Sequence, residues 1–547
     1  MRTIIYRYFI VLAVVSVLFT AGCSDDFLDE KALTFYSEEN YYNTTDGMDL
    51  AVVALYSDVM YDMIYYHRTA FYNTWQLGTD VVEPSATDYR TDEETAASYN
   101  SNWNAENTLV LNVWTDCYAA IGKANTILKN IDLPTWESDT QKNRIIGNAL
   151  FFRAWWYFYL VQAYGDVPLV TEPVSEAKTD YVRTPKAEVL AQIAEDLTNA
   201  IDDLQETGER EGEIGKGAAQ HLLCQVYLTL NEYAKAEQMA TALIGSGTYH
   251  LMTERFGVNE DESGSAWTDL FQDGNINRWE GNYETIWAVQ AADKYNTEGN
   301  SHYLKCWWLN QYTKVTGLTY SLDYWQRGKL YGRPSSYFLS LIDGNDDRGS
   351  EYAIKRTWRY NDSSTINKLK AAGTPLTQVV NGVTKEVEVG DTVAVTSANE
   401  NYLYPMPTKF MDVFNVGTLS ECYSDKDIPF MRLAETYLFR AEARFYQNNL
   451  SGAADDINVL RDRAHTSEIT AADVSIDFIL DERARELLGE ENRRFTLIRT
   501  GKLIERNQLY NADAKDNISE KHNLFPIPQA EIDRMKDSSD FSQNTGW

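Results

Sequence analysis

The sequence predicts a mostly α-helical protein, in which helix pairs form one scaffold interrupted by a loop-rich insertion with a small β-hairpin. Three observations predict it. Two distant regions, about 216–245 and 431–464, share one helix-pair spacing. Between them, from about 250 to 425, periodicity fades and Gly, Asn, Asp and aromatic residues accumulate. Within that stretch Val379, Val383, Val387 and Val389 surround Asn381-Gly382, the dipeptide of a tight hairpin turn.

In chain order, Arg2 and Arg7, an apolar run from Tyr8 to Phe19, and the small residues Thr20, Ala21 and Gly22 have the layout of an export signal. Ala21-Gly22-Cys23 fits a lipoprotein-processing site, although Thr20 stands where an aliphatic residue is usual. An ordinary signal peptide followed by a chance cysteine is the alternative. The expected division is a lipoprotein signal at 1–22 and one domain at 23–547, lipidated at Cys23. Several acyl chains anchor firmly, at about 0.8 kcal/mol per buried CH₂. Loss of Arg2 and Arg7 with the signal moves the net charge from −32 to −34. Such acidity repels nucleic acid and anionic lipid, so neither is expected as a partner; it also simply keeps a chain soluble. A membrane helix needs about 20 apolar residues. Phe151–Tyr164, the most apolar later segment, carries Arg153 and Gln162, so none is expected in the mature chain.

From Asn143 to Tyr164, residues Ala149, Phe152, Trp156, Leu160 and Ala163 keep helical spacing until Gly165-Asp166-Val167-Pro168 ends the helix, and Lys186–Leu204 supplies another. In the first pair Ala219, Leu222, Leu223, Val226 and Leu230 line one face; Asn231-Glu232 break it, and Tyr233, Ala236, Ala240, Leu243 and Ile244 line the next. In the second pair Ala434, Tyr437, Leu438, Ala441 and Phe445 repeat the spacing, Asn448-Asn449 turn, and Ala453, Ile457, Leu460 and Ala464 follow. Each pair sets a large residue three positions before an alanine, Tyr233 with Ala236 and Leu450 with Ala453. This is the tetratricopeptide-like arrangement, where the alanine admits the first helix closely; a plain helical hairpin carries similar spacing.

Long irregular segments on a rigid scaffold are commonly functional, which directs attention to about 250–425. The valine pattern predicts the hairpin within Thr377–Val395, and no Pro- or Ser-rich linker divides the chain. Cys117, Cys224, Cys306 and Cys422 show no CxxC or Cys/His ligand spacing, so buried thiols are expected rather than disulfides or zinc. With six histidines and no HExxH motif, neither a metal nor a cofactor is expected.

Several blocks, in this order, resemble the SusD-like (RagB/SusD) family of outer-membrane nutrient-binding lipoproteins along nearly the whole mature chain. They are Asp26-Phe27-Leu28-Asp29; Ala149-Leu150-Phe151-Phe152-Arg153-Ala154 with Tyr164-Gly165-Asp166-Val167-Pro168-Leu169; and Arg432-Leu433-Ala434-Glu435 with Ala441-Glu442-Ala443. Then come Asn458-Val459-Leu460-Arg461-Asp462-Arg463-Ala464, Glu482-Arg483 to Glu486-Leu487 through Arg494, and Leu524-Phe525-Pro526-Ile527-Pro528. Phe495-Thr496-Leu497 departs from the family, which commonly has aspartate before the leucine; packing is touched more than function. The resemblance implies a tetratricopeptide-like scaffold that packs as a lid on a TonB-dependent, SusC-like transporter barrel. It also implies a non-enzymatic protein that binds a glycan or, less often, a peptide. Ser24-Asp25-Asp26 resembles the signal that sends lipoproteins to the outer face of the outer membrane.

Among 81 acidic residues a carboxylate pair can always be nominated, so a glycoside hydrolase has no specific support. Glu482 with Arg485, and Glu490 with Arg494, read as ordinary helix-supporting pairs. No GxSxG, Walker or GxGxxG motif occurs, and no catalytic residue is nominated. From Asp343, the sixth and twelfth positions hold Arg348 and Ile354 where an EF-hand needs glycine and glutamate, so Asp343-Gly344-Asn345-Asp346-Asp347-Arg348 reads as a turn, with a looser calcium site as the alternative. The aromatics, 14 Trp and 36 Tyr, are the stronger lead, because sugars stack their C–H faces on rings while their hydroxyls seek polar neighbours. Trp114, Trp155 and Trp156 sit on helical faces and are assigned to the core. Outside helical registers, Tyr89–Trp103 and Trp279–Trp325 are the candidate regions, and the family commonly draws ligand residues from such an early loop and middle insertion. The candidate ligand residues are Asp80, Tyr89, Tyr99, Trp103, Trp279, Tyr283, Tyr295, Trp307, Trp308 and Tyr324. For any one ring, burial in the core or a transporter contact is the competing reading.

Overall fold

Polar caps set where the scaffold helices begin in the computed structural model, which describes residues 41–64, 70–85, 91–292, 301–342, 345–413, 418–536 and 541–547. The Thr44 hydroxyl accepts from the Gly47 amide at the start of α1 (Thr45–Asp58). Asn107 and Ser138 do the same for α2 (Thr108–Asn130) and α3 (Asp139–Tyr164). Each cap satisfies an amide that the first turn leaves without an intrahelical partner. α3 stops at Gly165, whose φ of 75° suits glycine, and a Cβ there would sit 2.9 Å from Leu524 Cδ1.

From α2 onward each helix packs on the next: α2, α3, α4 (Lys186–Asp203), α5 (Lys216–Thr229), α6 (Tyr233–Ile244), α7 (Leu433–Tyr446) and α8 (Leu450–Arg463). α6 and α7 are neighbours although the insertion separates them in sequence, so the two helix pairs form one continuous stack. Tyr233 stacks on Tyr446 with centroids 4.5 Å apart, and Arg444 Nε meets Glu237 Oε1 at 2.9 Å. Ala236, Ala240 and Ala443 are buried where these helices meet, and Ala453 is buried between α7 and α8, the role expected of the small residues.

α3 is buried on nearly every side because α1, α2 and α4 all pack on it. Its Arg153 is buried too, and forks onto Asp196 of α4 through two bonds of 2.7 Å. A charge so enclosed needs such a partner. Among the described residues no helix is long and apolar enough to cross a membrane.

The insertion is stitched to the scaffold by strands. β1 (Val82–Pro84) pairs with β3 (Gly332–Pro334), and β2 (Thr285–Val289) with β6 (Ile428–Arg432), both antiparallel. The predicted hairpin is present as β4 (Thr377–Val380) and β5 (Val383–Glu386), shorter than the valine pattern suggested. Asn381 and Gly382 take φ values of 52° and 77°, the left-handed pair that a two-residue turn of this kind requires. Val379 and Val383 are exposed, and Val387 is buried beyond the strand end.

One expectation is overturned. Cys117 and Cys224 are buried thiols, but Cys306 and Cys422 form a disulfide across 116 residues. Spacing carried no sign of it, because the backbone pairing of His302 with Ser424, a tertiary contact, brings the two cysteines together.

α9 (Ile476–Leu487), α10 (Arg493–Arg499) and α11 (Leu503–Tyr510) bind insertion and stack together through buried charge. Glu486 accepts from Arg463 at 2.6 Å, Arg432 at 3.0 Å, Arg348 at 3.2 Å and the Trp267 indole at 3.2 Å. Glu284 bridges Arg432 and Arg463 at 2.6 and 2.9 Å. Glu482 pairs with Arg485 at 2.8 Å as expected, and also with Arg348 and Arg461. The expected Glu490–Arg494 pair is absent, because the chain turns at Gly489 (φ 78°) between α9 and α10 and Glu490 does not share a helix with Arg494. Glu490 turns instead to Lys409 and Arg432, and Arg494 to Tyr99.

Burial alone would raise the Glu486 carboxyl; Arg463, Arg432 and Arg348 hold it far below the ordinary carboxylate range. Removing one member of such a lattice strands the others, so Glu486→Ala is expected to cost ~3–5 kcal/mol in chemical denaturation. Glu435 is lowered from 4.5 to about 2: burial raises it, but the hydrogen bond with His221 and the charge of Arg483 outweigh that. A folded value below the unfolded one gives stability that is complete above pH 4.5 and is lost as pH falls towards 2. Glu435→Gln should therefore flatten the acid limb of a stability–pH curve between those values, read by denaturant midpoints.

Candidate functional site

Five of the candidate ligand residues are enclosed and already partnered. Asp80 is fully buried, accepts from Arg493 at 2.8 and 2.7 Å and from Arg506 at 2.6 Å, and so ties α10 and α11 to the early part of the chain. Burial raises its carboxyl, and the two guanidiniums bring it below the usual value. Tyr99 donates to the Gly78 carbonyl at 2.7 Å, and Trp103 lies edge-on to Phe525 at 4.9 Å. Trp307 donates to Asn73 at 2.9 Å and Trp308 to the Tyr72 hydroxyl at 2.7 Å. The β3 backbone lies on Trp307 so closely that a Cβ at Gly332 would sit 2.0 Å from the indole. These five belong to the core rather than to a ligand surface. Aromatic residues outside helical registers looked like surface rings, but the insertion has a core of its own, which fills with them.

Trp279 and Tyr283 are exposed, at 48% and 39%. Trp279 lines a cleft of about 250 Å³ with Tyr249, Asn277, Arg278 and the Glu209–Glu213 loop. Tyr283 stacks on His250 at 4.9 Å, with the Arg278 guanidinium 5.3 Å from its ring. Tyr324 is nearly buried; its hydroxyl donates to the Arg359 carbonyl and accepts from the Arg359 amide, both at 2.9 Å. Tyr89 and Tyr295 lie outside the described residues, as does Cys23. In the acidic turn, Asp346 pairs with Arg348 and Asp347 with His465, whereas Asp343 and Gly344 are not described. Among the described residues no group of His, Cys, Asp and Glu is placed to hold a metal ion.

A second aromatic cluster forms where three stretches of the insertion meet, with Tyr303 and Tyr331 buried and Tyr423 half-buried. Tyr303 donates its amide to Ile64 at 3.2 Å, and its ring meets Tyr331 at 6.1 Å and Tyr423 at 5.7 Å. The turn after Tyr324 is pinned on both sides. The Arg327 amide donates to Glu421 at 3.2 Å, the Tyr331 amide to Trp307 at 2.9 Å, and Gln326 Nε2 to Thr418 at 3.2 Å. Within six residues Trp325, Gln326 and Leu330 adopt φ values of 55°, 70° and 51°. Left-handed backbone at non-glycine residues persists only where the surroundings impose it, and clusters at ligand sites. Trp325 is half-buried, with the Lys355 ammonium 5.9 Å from its ring, and Tyr320 and Arg327 are half-buried nearby. Arg327 has no carboxylate partner among the described residues. A flat indole, tyrosines and an uncommitted guanidinium suit a ligand with both apolar faces and hydroxyls. Tyr303 and Trp325 fall within the candidate stretch Trp279–Trp325 without being nominated individually, and Tyr331 and Tyr423 lie outside it; no periodic signal marks them, and only the meeting of three stretches distant in sequence does so.

Fold and site define a class, an α-helical repeat scaffold with a long insertion that carries the exposed rings Trp279, Tyr283 and Tyr352. The sequence model of the SusD family matches residues 250–547, and a second, described as starch-binding associating with outer membrane, matches 26–228. The chain belongs to the SusD family. It is 26% identical to SusD-like protein P25 of Formosa agariphila over 95% of this chain and 96% of the relative. It is also 26% identical to the starch-binding protein SusD of Bacteroides thetaiotaomicron, over 75% of this chain and 74% of that protein. Among solved structures, a SusD homologue from B. thetaiotaomicron has the same fold, with a TM-score of 0.70 at 20% identity over 94% of this chain and all of the other. Surface glycan-binding protein A of B. thetaiotaomicron, solved with laminarihexaose, has a TM-score of 0.67 at 18% identity, covering 92% and 99% of the two chains.

Burial separates the rings experimentally. Trp308→Ala is expected to cost ~3–5 kcal/mol of stability in urea unfolding. Trp279→Ala, at an exposed position, should stay within about 0.5 kcal/mol of the wild type in the same measurement.

Proposed function

We propose that this chain captures an oligosaccharide or polysaccharide at the cell surface and hands it to a TonB-dependent, SusC-like transporter barrel, held to the outer membrane through a lipid on Cys23. The carrying observation is the strained turn that holds Trp325 and Arg327, both half-buried and two residues apart. Trp279 and Tyr283, exposed elsewhere on the insertion, are further rings for a sugar chain to stack on. Two relatives favour a glycan over a peptide: one is named for starch binding, and another was solved with laminarihexaose. The mechanism is binding without bond cleavage: rings take the C–H faces of the sugar, and arginine and amide groups take its hydroxyls.

Affinity electrophoresis through starch, laminarin and other polysaccharides tests this, and retardation by at least one is expected. On the retarding glycan Trp325→Ala should lose about 2 kcal/mol, roughly thirtyfold in Kd, as a ring at the centre of a contact does. Retardation by none, with measurable peptide binding, would replace the glycan by a peptide. New reducing ends after incubation would make the protein a hydrolase.

A further inference from the structure

We propose that the Cys306–Cys422 disulfide is a positioning element of the Trp325–Arg327 face, setting the register of its two walls and so its affinity. The inference rests on the reading above that this face binds the ligand.

Each cysteine stands at the root of one wall. Cys306 lies in the short buried helix Leu304–Trp308, and its carbonyl accepts from the amides of Lys329 at 2.9 Å and Leu330 at 3.2 Å. The neighbouring Trp307 carbonyl accepts from Tyr331 at 2.9 Å. This helix therefore holds the end of the turn that begins at Trp325. Cys422 lies between Glu421, whose carbonyl accepts from the Arg327 amide at 3.2 Å, and Tyr423, whose ring meets Tyr303. The two cysteines thus grip opposite ends of one short turn.

Two features make the covalent link matter. From 418 to 427 the strap carrying Cys422 has neither helix nor strand, only the bridge of Ser424 to His302. Its ties to the turn include the single hydrogen bonds of Arg327 to Glu421 and Gln326 to Thr418, with which water competes. The turn itself contains three left-handed non-glycine residues, which relax unless their surroundings hold them. A buried S–S bond is not in competition with water, and both cysteines are nearly inaccessible, at 0% and 6%. Such a bond persists in an oxidising compartment, which accords with an exported chain.

The test compares the wild type with C306A/C422A at 25 °C, each first shown to have native circular dichroism. Titration uses an oligosaccharide of the retarding glycan, and hydrogen exchange is followed at short times. The variant should bind about tenfold more weakly, as a site does when its preorganisation is lost. Its added exchange should be confined to 325–331 and 418–424, leaving α3 and α7 as in the wild type. A Kd within about twofold of the wild type, or extra exchange spread through the scaffold, would overturn the proposal. Should the wild type bind no glycan, the function proposed above fails by itself, and the exchange pattern alone decides on the clamp. If the double alanine variant does not fold, C306V/C422A, which refills part of the sulfur volume, carries the same comparison; failure of both assigns the disulfide to the whole fold and refutes a local role.

Discussion

A carboxylate placed where no water reaches it is tolerable only if several donors surround it, and Glu486 imposes that constraint on this protein. Its partners come from segments far apart in sequence: Arg348 and Trp267 from the insertion, Arg432 from the end of β6, and Arg463 from the end of α8. Glu284, just ahead of β2, closes the circuit by bridging Arg432 and Arg463. The desolvation of so many ions is repaid only when all are present and well aligned. The lattice therefore favours a single arrangement of insertion on scaffold, more than it adds to net stability.

That arrangement gives the insertion a fixed base. Lys409 reaches Glu490, and Arg432 meets the same carboxylate, so the end of α9 is locked to both β6 and the insertion. On the far side Asp80, Arg493 and Arg506 join the early chain to α10 and α11. The short helix Leu304–Trp308 is packed against Tyr72 and Asn73 through its indoles. The face with Trp325 and Arg327 stands on this helix, and its strained backbone is held by a support that cannot readily move.

The residues that carried the family resemblance have a common physical role. Arg153, Arg432, Arg463, Glu482, Arg483, Glu486 and Arg494 are all buried charges with tertiary partners, or a ring-lined enclosure in the case of Arg494. Phe525, from the last block, packs on Trp103 and Tyr164. Within the described residues these blocks specify how the chain closes on itself, and none of them supplies Trp279, Tyr283, Trp325 or Arg327. For that reason resemblance identified the scaffold clearly and said little about individual ligand residues. Glu482 and Glu486 illustrate the limit of local reading as well: a charge run that scans as a solvated helix face turns inward, because its partners lie far away in sequence.

Helix pairs, their alanine contacts, the abrupt end at Gly165 and the Asn381-Gly382 turn were legible in the sequence, because each depends on residues within a few positions of one another. The adjacency of α6 and α7, the pairing of Cys306 with Cys422, and the burial of Asp80, Tyr99, Trp103, Trp307 and Trp308 were decided only by the tertiary structure. An aromatic side chain satisfies a core and a ligand surface equally well, so its type and local spacing do not separate the two. What separates Trp325 from Trp308 is which neighbours distant segments bring to it, and that is a property of the closed chain alone.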